Sequence, residues 1–233
     1  MGKRILSVIC PVMLLFFAGC VSMDQSGPAE EGYRDPQQEL VESAAAAVKV
    51  MCEDPDNRSL NVLIDNARGV LIYPRLIRAG ALLGGEGGRG VLVAKSADGN
   101  WSSPAFYVMG GGSMGFQIGM QRASVIIVFM NDRVLHSAIR TGVTVGADAS
   151  VSAGSAGADF SASSQTVYKD IYYFSSVEGL FAGISLEGQI INADHPANRN
   201  YYGENAAPEG ILLENRFENP GAAVLKDALN GLQ

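Results

Sequence analysis

Hydrophobic positions along the chain fall into three successive patterns. The first is Ile5 to Phe17, a 13-residue run that is apolar apart from Ser7 and Pro11. The second begins at Gln37, where Leu40, Val41, Ala44, Val48, Met51 and Cys52 share one stripe and Glu39, Glu42, Lys49 and Glu53 lie off it. That spacing predicts an amphipathic helix over 37–52. Asp54-Pro55 supplies an N-cap followed by a first-position proline, and predicts a second helix through about Asn66. After Ala67 the third pattern sets in. Gly69 to Tyr73, Gly90 to Lys95, Ala105 to Met109, Phe116 to Gln121 and Ser124 to Met130 read as short strands separated by Gly, Pro, Asn and Ser. Asn131 to Arg140 predicts a helix closed by Gly142. Val143 to Ser163, built of Gly, Ala, Ser and Val, suits closely packed strands, and Val167 to Phe174 and Leu180 to Leu186 predict two more. Asn219-Pro220 starts a terminal helix that ends near Gly231.

Helices first and short strands afterwards predict an α+β fold. The expected architecture is a pair of N-terminal helices followed by a mostly antiparallel, Gly-rich sheet or partly closed barrel with a few flanking helices. With no clear linker between them, residues 37–233 read as one domain.

The opening run is too short for the roughly 20 apolar residues that span a bilayer, and Lys3 and Arg4 precede it. Residues 1–19 therefore read as a signal peptide. Phe17-Ala18-Gly19-Cys20 resembles a bacterial lipobox, in which Cys20 is diacylated on sulfur and becomes the first residue of the mature chain. Val21 to Pro36 is polar, with Pro, Gly and Ser, so residues 20–36 form the acylated cysteine and a flexible tether. Cleavage removes Lys3 and Arg4 and takes the formal charge from −7 to −9. An acidic body excludes a general nucleic-acid binder, and anionic lipid repels it, so anchorage falls to the acyl chains. Cys52 is then the remaining thiol, which leaves no intrachain disulfide. Val21 stands where diderm lipoproteins retained at the inner membrane carry Asp, which favours the periplasmic face of an outer membrane.

Several ordered segments are similar to one known family. They are Ala67 to Pro74, Ala79-Gly80, Gly84-Gly85, Gly88 to Val93, Gly99 to Phe106, Gly115 to Gly119, Gly179-Leu180-Phe181-Ala182-Gly183-Ile184-Ser185-Leu186-Glu187-Gly188 and Tyr201-Tyr202-Gly203. The chain resembles SYLF-domain proteins over about Gln37 to Gly203. The resemblance implies a phospholipid-binding domain. Eukaryotic members bind phosphoinositides, fungal ones also bind actin filaments, and bacterial members are commonly exported lipoproteins. Eukaryotic members carry a basic helix near the start of the domain, whereas the first helix here is acidic. Lipid association in general is therefore what the resemblance implies, rather than phosphoinositide specificity.

Arg68, Arg75, Arg78, Arg89 and Lys95 face one acid, Glu86, over the same stretch of sequence. A local charge of +4 in an acidic chain marks these five as candidate head-group residues, because the guanidinium fork matches phosphate geometry. Other motifs point less far. Gly85 to Gly90 and Gly110 to Gly115 both match G-x-G-x-x-G, but each leads into strand-like sequence, whereas a dinucleotide loop opens a helix. Gly111-Gly112-Ser113-Met114-Gly115 fits the hydrolase nucleophile elbow, with Asp170 or Asp194 and then His195 in chain order. The residues after Ser113 are again strand-like, and His136 and His195 suit surface or packing roles. Asp148 and Asp159 lack calcium-loop spacing. The sequence thus predicts an envelope lipoprotein that associates with phospholipid, without catalysis, metal or cofactor. A lipoprotein that binds an envelope protein partner, with Leu180 and Phe181 as its apolar contact, is the alternative, and a lipolytic hydrolase is third.

Overall fold

The computed structural model describes residues 34–153, 169–178 and 186–232. The first helix, α1 (Pro36–Glu53), starts where Asp35 Oδ1 accepts the Gln37 N–H at 2.9 Å. A short 3₁₀ turn, Pro55–Asn57, leads into α2 (Arg58–Asp65). Asp54 caps that turn rather than the helix, so the second predicted helix is present in two pieces.

Next come β1 (Gly69–Ala94) and β2 (Ala105–Phe129), of 26 and 25 residues. They correct the expectation of five short strands. The glycine segments that read as breaks are paired with one another, Gly84 with Ser113, Gly85 with Gly112 and Gly87 with Gly110. Pro74, which has no N–H to give a ladder, sits at a register shift between Tyr73 and Leu76. The result is a long antiparallel ribbon that folds back on itself. The Lys95 N–H donates to the Arg68 carbonyl at 2.9 Å, and a Cβ on Gly88 would lie 2.8 Å from the Arg75 carbonyl oxygen. Glycine permits the two halves of β1 to come that close.

The chain continues through α3 (Asp132–Arg140), β3 (Val143–Thr144), β4 (Val151–Ala153), β5 (Ile171–Glu178) and β6 (Ile190–Ala193). Helices α4 (His195–Tyr202), α5 (Pro208–Leu212) and α6 (Ala223–Asn230) complete it. Asn131 caps α3, and Gly142 leaves it at φ +82°, a left-handed conformation that glycine adopts without strain. Sequence reading missed α4, α5 and β6. Because β1 lines one edge of β2, the other edge is shared, with β6 against Tyr107–Gly110 and β5 against Arg122–Phe129. Among the described residues the fold is α+β, with a curled and largely antiparallel sheet. Among the named strands the one parallel pair is β4 with β5. Of the expected strands, 154–163, 167–168 and 180–185 lie outside the described residues.

Both faces of the sheet are buried, which is why its strands read as continuous apolar runs. On the outer face Val70, Ile72, Val91, Val93, Phe106, Ile126 and Val128 pack against α1, α2, α4 and α6. On the inner face Leu71, Tyr73, Leu92, Tyr107, Val125 and Ile127 pack against α3, α5 and one another. Cys52 belongs to the outer core, and burial pushes its thiol up to about 12, which removes it as a nucleophile. The inner face also carries Glu86, Gln121 and Gln189, all buried. An unsatisfied polar atom in such a place costs about 1–3 kcal/mol.

Asn198 joins α4 to the sheet. Fully buried, it accepts the Phe106 N–H at 2.8 Å and donates to the Phe106 and Asp194 carbonyls at 3.2 and 3.0 Å. Asn198→Ala would leave the Phe106 N–H without a partner, so equilibrium unfolding in urea should show a loss of about 2–3 kcal/mol. A loss under 0.5 kcal/mol would mean that the strand end finds another acceptor.

Candidate functional site

Where β1, β2 and β5 run on past α1, the outer face of the sheet opens into a groove of about 780 Å³. That size is within the range of small-ligand sites. Helix α1 forms one wall with Leu40, Ala47, Val50 and Met51, together with Glu39 and Ser43. Val50 is 65% exposed, unusual for a valine on a helix that otherwise buries its stripe. The sheet forms the other wall. Strand alternation that buries Val91, Ile126 and Phe174 under α1 brings Arg89, Ser124 and Ser176 to the same face further along, and Arg122 follows Ser124 by the same rule. Arg75, beside the Pro74 bulge, completes the lining.

The five cations singled out by sequence do not converge. Arg75 and Arg89 line the groove. Arg89 also bonds the Asp194 carboxylate, at 3.1 Å from Nε and 2.7 Å from Nη2, and Asp194 in turn caps α4 by accepting the Ala197 N–H. Arg78 turns to the inner face, where it bonds Glu86 at 2.9 and 3.1 Å. Arg68 lies 3.6 Å from Asp132. Lys95 donates to the Asp65 carbonyl at 2.9 Å and stands 5.0 Å over the Trp101 ring. The groove instead gains Arg122, which the sequence reading passed over because it lies 27 residues beyond the cation-rich stretch. The signal for it was register. Arg122 is the partner of Ile77, two residues from Arg75 in sequence, and Ile77 is itself exposed.

Among the described residues neither Arg75 nor Arg122 has an ion-pair partner. Three guanidiniums, one carboxylate, three hydroxyls and an apolar helix flank therefore share one concavity. This chemistry suits an amphiphile with an anionic, oxygen-rich head: the arginines take the charge, the Ser43 and Ser176 hydroxyls donate to its oxygens while Ser124 donates to the Pro74 carbonyl, and the α1 flank covers the apolar part.

The catalytic alternatives find no geometry. Ser113 sits inside β2 opposite Gly84 rather than on a strand-to-helix turn. Both G-x-G-x-x-G segments are strand, and neither opens a helix. Asp148 accepts the Thr144 N–H in a turn, Asp170 is held by Ser150 and Asn131, and His136 and His195 are exposed. Among the described residues no three His, Cys, Asp or Glu side chains gather around a common point, and no helix is long and apolar enough to cross a membrane. Cys20, Asp159 and Phe181 lie outside the described residues.

Residues 110–232 match the family described as Ysc84, Las17-binding protein actin regulator. Protein YSC84 of Saccharomyces cerevisiae is 34% identical over 165 residues, covering 69% of this chain and 35% of that protein. LAS seventeen-binding protein 3 of the same yeast matches to the same extent. SH3 domain-containing YSC84-like protein 1 of Homo sapiens is 30% identical over 153 residues, covering 65% of this chain and 44% of its own length. The chain thus spans about a third of the length of these yeast relatives and under half of the human one. The name of LAS seventeen-binding protein 3 denotes a binding protein, and none of the three names denotes an enzyme.

Proposed function

The chain belongs to the Ysc84 family of SYLF-domain proteins, and from that premise we propose that it is an envelope lipoprotein, anchored through Cys20, whose folded domain associates with anionic phospholipid without catalysis. The observation that carries this reading is the groove beside α1, where Arg75 and Arg122, without ion-pair partners among the described residues, meet exposed Val50. A chain with a formal charge of −7 is repelled by an anionic bilayer as a whole. The Debye length is only about 8 Å at physiological salt, however, so a local cationic face outweighs distant acids. Arg89 is half exposed although its partner Asp194 is mostly buried, which leaves the guanidinium open to a phosphate.

The test uses the full chain carrying Cys20→Ser, which cannot be acylated, in cosedimentation with liposomes of anionic or neutral head groups. Each cation close to an anionic surface contributes about 1 kcal/mol. Arg75→Glu/Arg122→Glu should therefore weaken binding to anionic liposomes by more than about tenfold at low salt, and the difference should shrink as salt rises. A variant with unchanged circular dichroism that binds as well as its parent would eliminate the groove as the head-group site.

A second reading has its own support. The relatives' names record that LAS seventeen-binding protein 3 binds another protein, and the exposed valine in the groove would serve a protein partner equally well. Failure of the parent chain to bind any liposome would move the assignment to an envelope protein partner.

A further inference from the structure

The groove beside α1 contains a negative charge that a simple anionic head group would not call for. Its charged lining is Arg75, Arg89 and Arg122 on the sheet wall and Glu39 on the helix wall. Glu39 belongs to the first turn of α1, where the helix dipole favours a carboxylate. The residue is exposed, and among the described residues it has no ion-pair partner, so none of the three guanidiniums of the same groove is paired with it. Glu42, three residues on, differs in both respects: it accepts the Gln38 side-chain amide at 3.1 Å and does not line the groove. Cations on one wall and a carboxylate on the other are complementary to a guest that is itself dipolar.

The charge of the site narrows that guest. Three guanidiniums and one carboxylate carry +2, and Asp194, bonded to Arg89 at 2.7 Å, brings the site to +1. A plain phosphodiester balances this total but leaves Glu39 facing another anion. A phosphodiester with an ammonium alone satisfies Glu39 but leaves the total unbalanced. A head group with a phosphodiester, a carboxylate and an ammonium meets both conditions, because its two anionic groups divide among the arginines and its three ammonium N–H groups face a carboxylate. The helix wall orders such a molecule from end to end. Ser43 lies one turn beyond Glu39, and Ala46, Ala47, Val50 and Met51 follow on the next two turns. At 1.5 Å per residue this flank passes from polar to apolar over about 16 Å. In an aminophospholipid the ammonium likewise lies at the end of the head remote from the acyl chains.

We infer that the groove selects an anionic phospholipid of the serine type, and that Glu39 makes the selection by holding the ammonium. The inference rests on the reading of the groove as a head-group site and adds the identity of the head.

The test uses the full chain carrying Cys20→Ser in cosedimentation with phosphatidylcholine liposomes that contain an equal fraction of phosphatidylserine or of phosphatidylglycerol. Both added lipids have one net negative charge, and the serine lipid alone has an ammonium. The parent should bind the serine liposomes about fivefold more tightly, the scale of one well-placed exposed ion pair. Glu39→Gln, with unchanged circular dichroism, should bring the ratio to about one, whereas Glu39→Asp keeps the charge and should retain most of the preference. Removing a negative charge strengthens attraction to either surface, and the ratio cancels that effect. Glu42→Gln makes the same change of charge outside the groove and should leave the ratio as in the parent. Equal binding of the parent to both liposomes overturns the inference and leaves the anionic head-group site standing, while a parent that binds neither overturns both. A preference that survives Glu39→Gln, or that Glu42→Gln abolishes as well, removes Glu39 as the selecting residue and overturns the inference.

Discussion

Replacing Arg78 by alanine is expected to cost about 3–5 kcal/mol at neutral pH, because it strands a carboxylate in the core. The Glu86 side chain is fully buried, and the guanidinium holds one of its oxygens at 2.9 and 3.1 Å. Even with that partner, burial wins and keeps the Glu86 carboxyl above the usual carboxylate range, while the Arg78 charge and hydrogen bond pull it down. The sign of the pH dependence comes from that direction. A folded-state pKa above the unfolded value of about 4.3 means that the folded protein binds this proton more tightly. The group's contribution to stability is then fully present below the unfolded pKa and is lost as pH rises through the folded one. Without Arg78 the folded value climbs further, so the deficit of Arg78→Ala relative to its parent should be small at pH 4 and large at pH 7.5. The double change Arg78→Ala/Glu86→Gln should regain most of it. Urea unfolding of the three proteins at both pH values measures this. An equal deficit at both would mean that Arg78 acts through the packing of its stem alone.

Phe106→Ala should be of similar size, about 3–5 kcal/mol, for a different reason. The ring is 1% exposed and meets Tyr201 edge to face, with centroids 5.1 Å apart. Tyr201 in turn donates to Gln38 on α1 at 2.7 Å. Phe106 is therefore the joint through which β2, α4 and α1 hold one another. Phe106→Leu keeps much of the volume and loses the aromatic pair, so about 1–2 kcal/mol is expected. Amide hydrogen exchange should show α1 losing protection in the alanine variant ahead of α3, which packs on the opposite face. Uniform loss across both helices would mean that the two faces unfold as one unit.

What the sequence made legible is what local rules decide. The α1 stripe, the Asn131 cap and the Gly142 exit are each set by neighbours within a few residues, and they were readable with nearly correct bounds. The ribbon was not. Glycines at 84, 85, 87, 110 and 112 and Pro74 are turn residues by local rules, yet here they pair across the ribbon or mark its bulge, and only the partner strand reveals that. Helix α4 opens with Asp194-His195-Pro196, a cap and proline signal as good as Asp54-Pro55, but eight residues ending in Arg, Asn and two tyrosines show no apolar stripe. The candidate site divides along the same line. Residue type suggested arginine, whereas convergence depends on register, which sends Arg78 inward, ties Arg68 to Asp132 and brings Arg122 beside Arg75. Counting charge along the chain has no access to which face a residue occupies.

The ribbon also imposes an order of events on folding. Its rungs differ widely in the chain they enclose: Leu92 meets Ala105 across 13 residues, and Gly69 meets Phe129 across 60. Closure entropy rises with the enclosed length, so pairing proceeds from the Lys95–Trp101 turn outward, each rung shortening the loop that the next must close. The outermost rungs become affordable only after the inner ones have formed. Because β5 pairs with the last part of β2 to be captured, and α1 packs on the face that the bend creates, the groove beside α1 is among the final features to appear. A nascent chain is therefore expected to carry its two apolar strand faces uncovered until the long-range rungs have closed and the helices have docked.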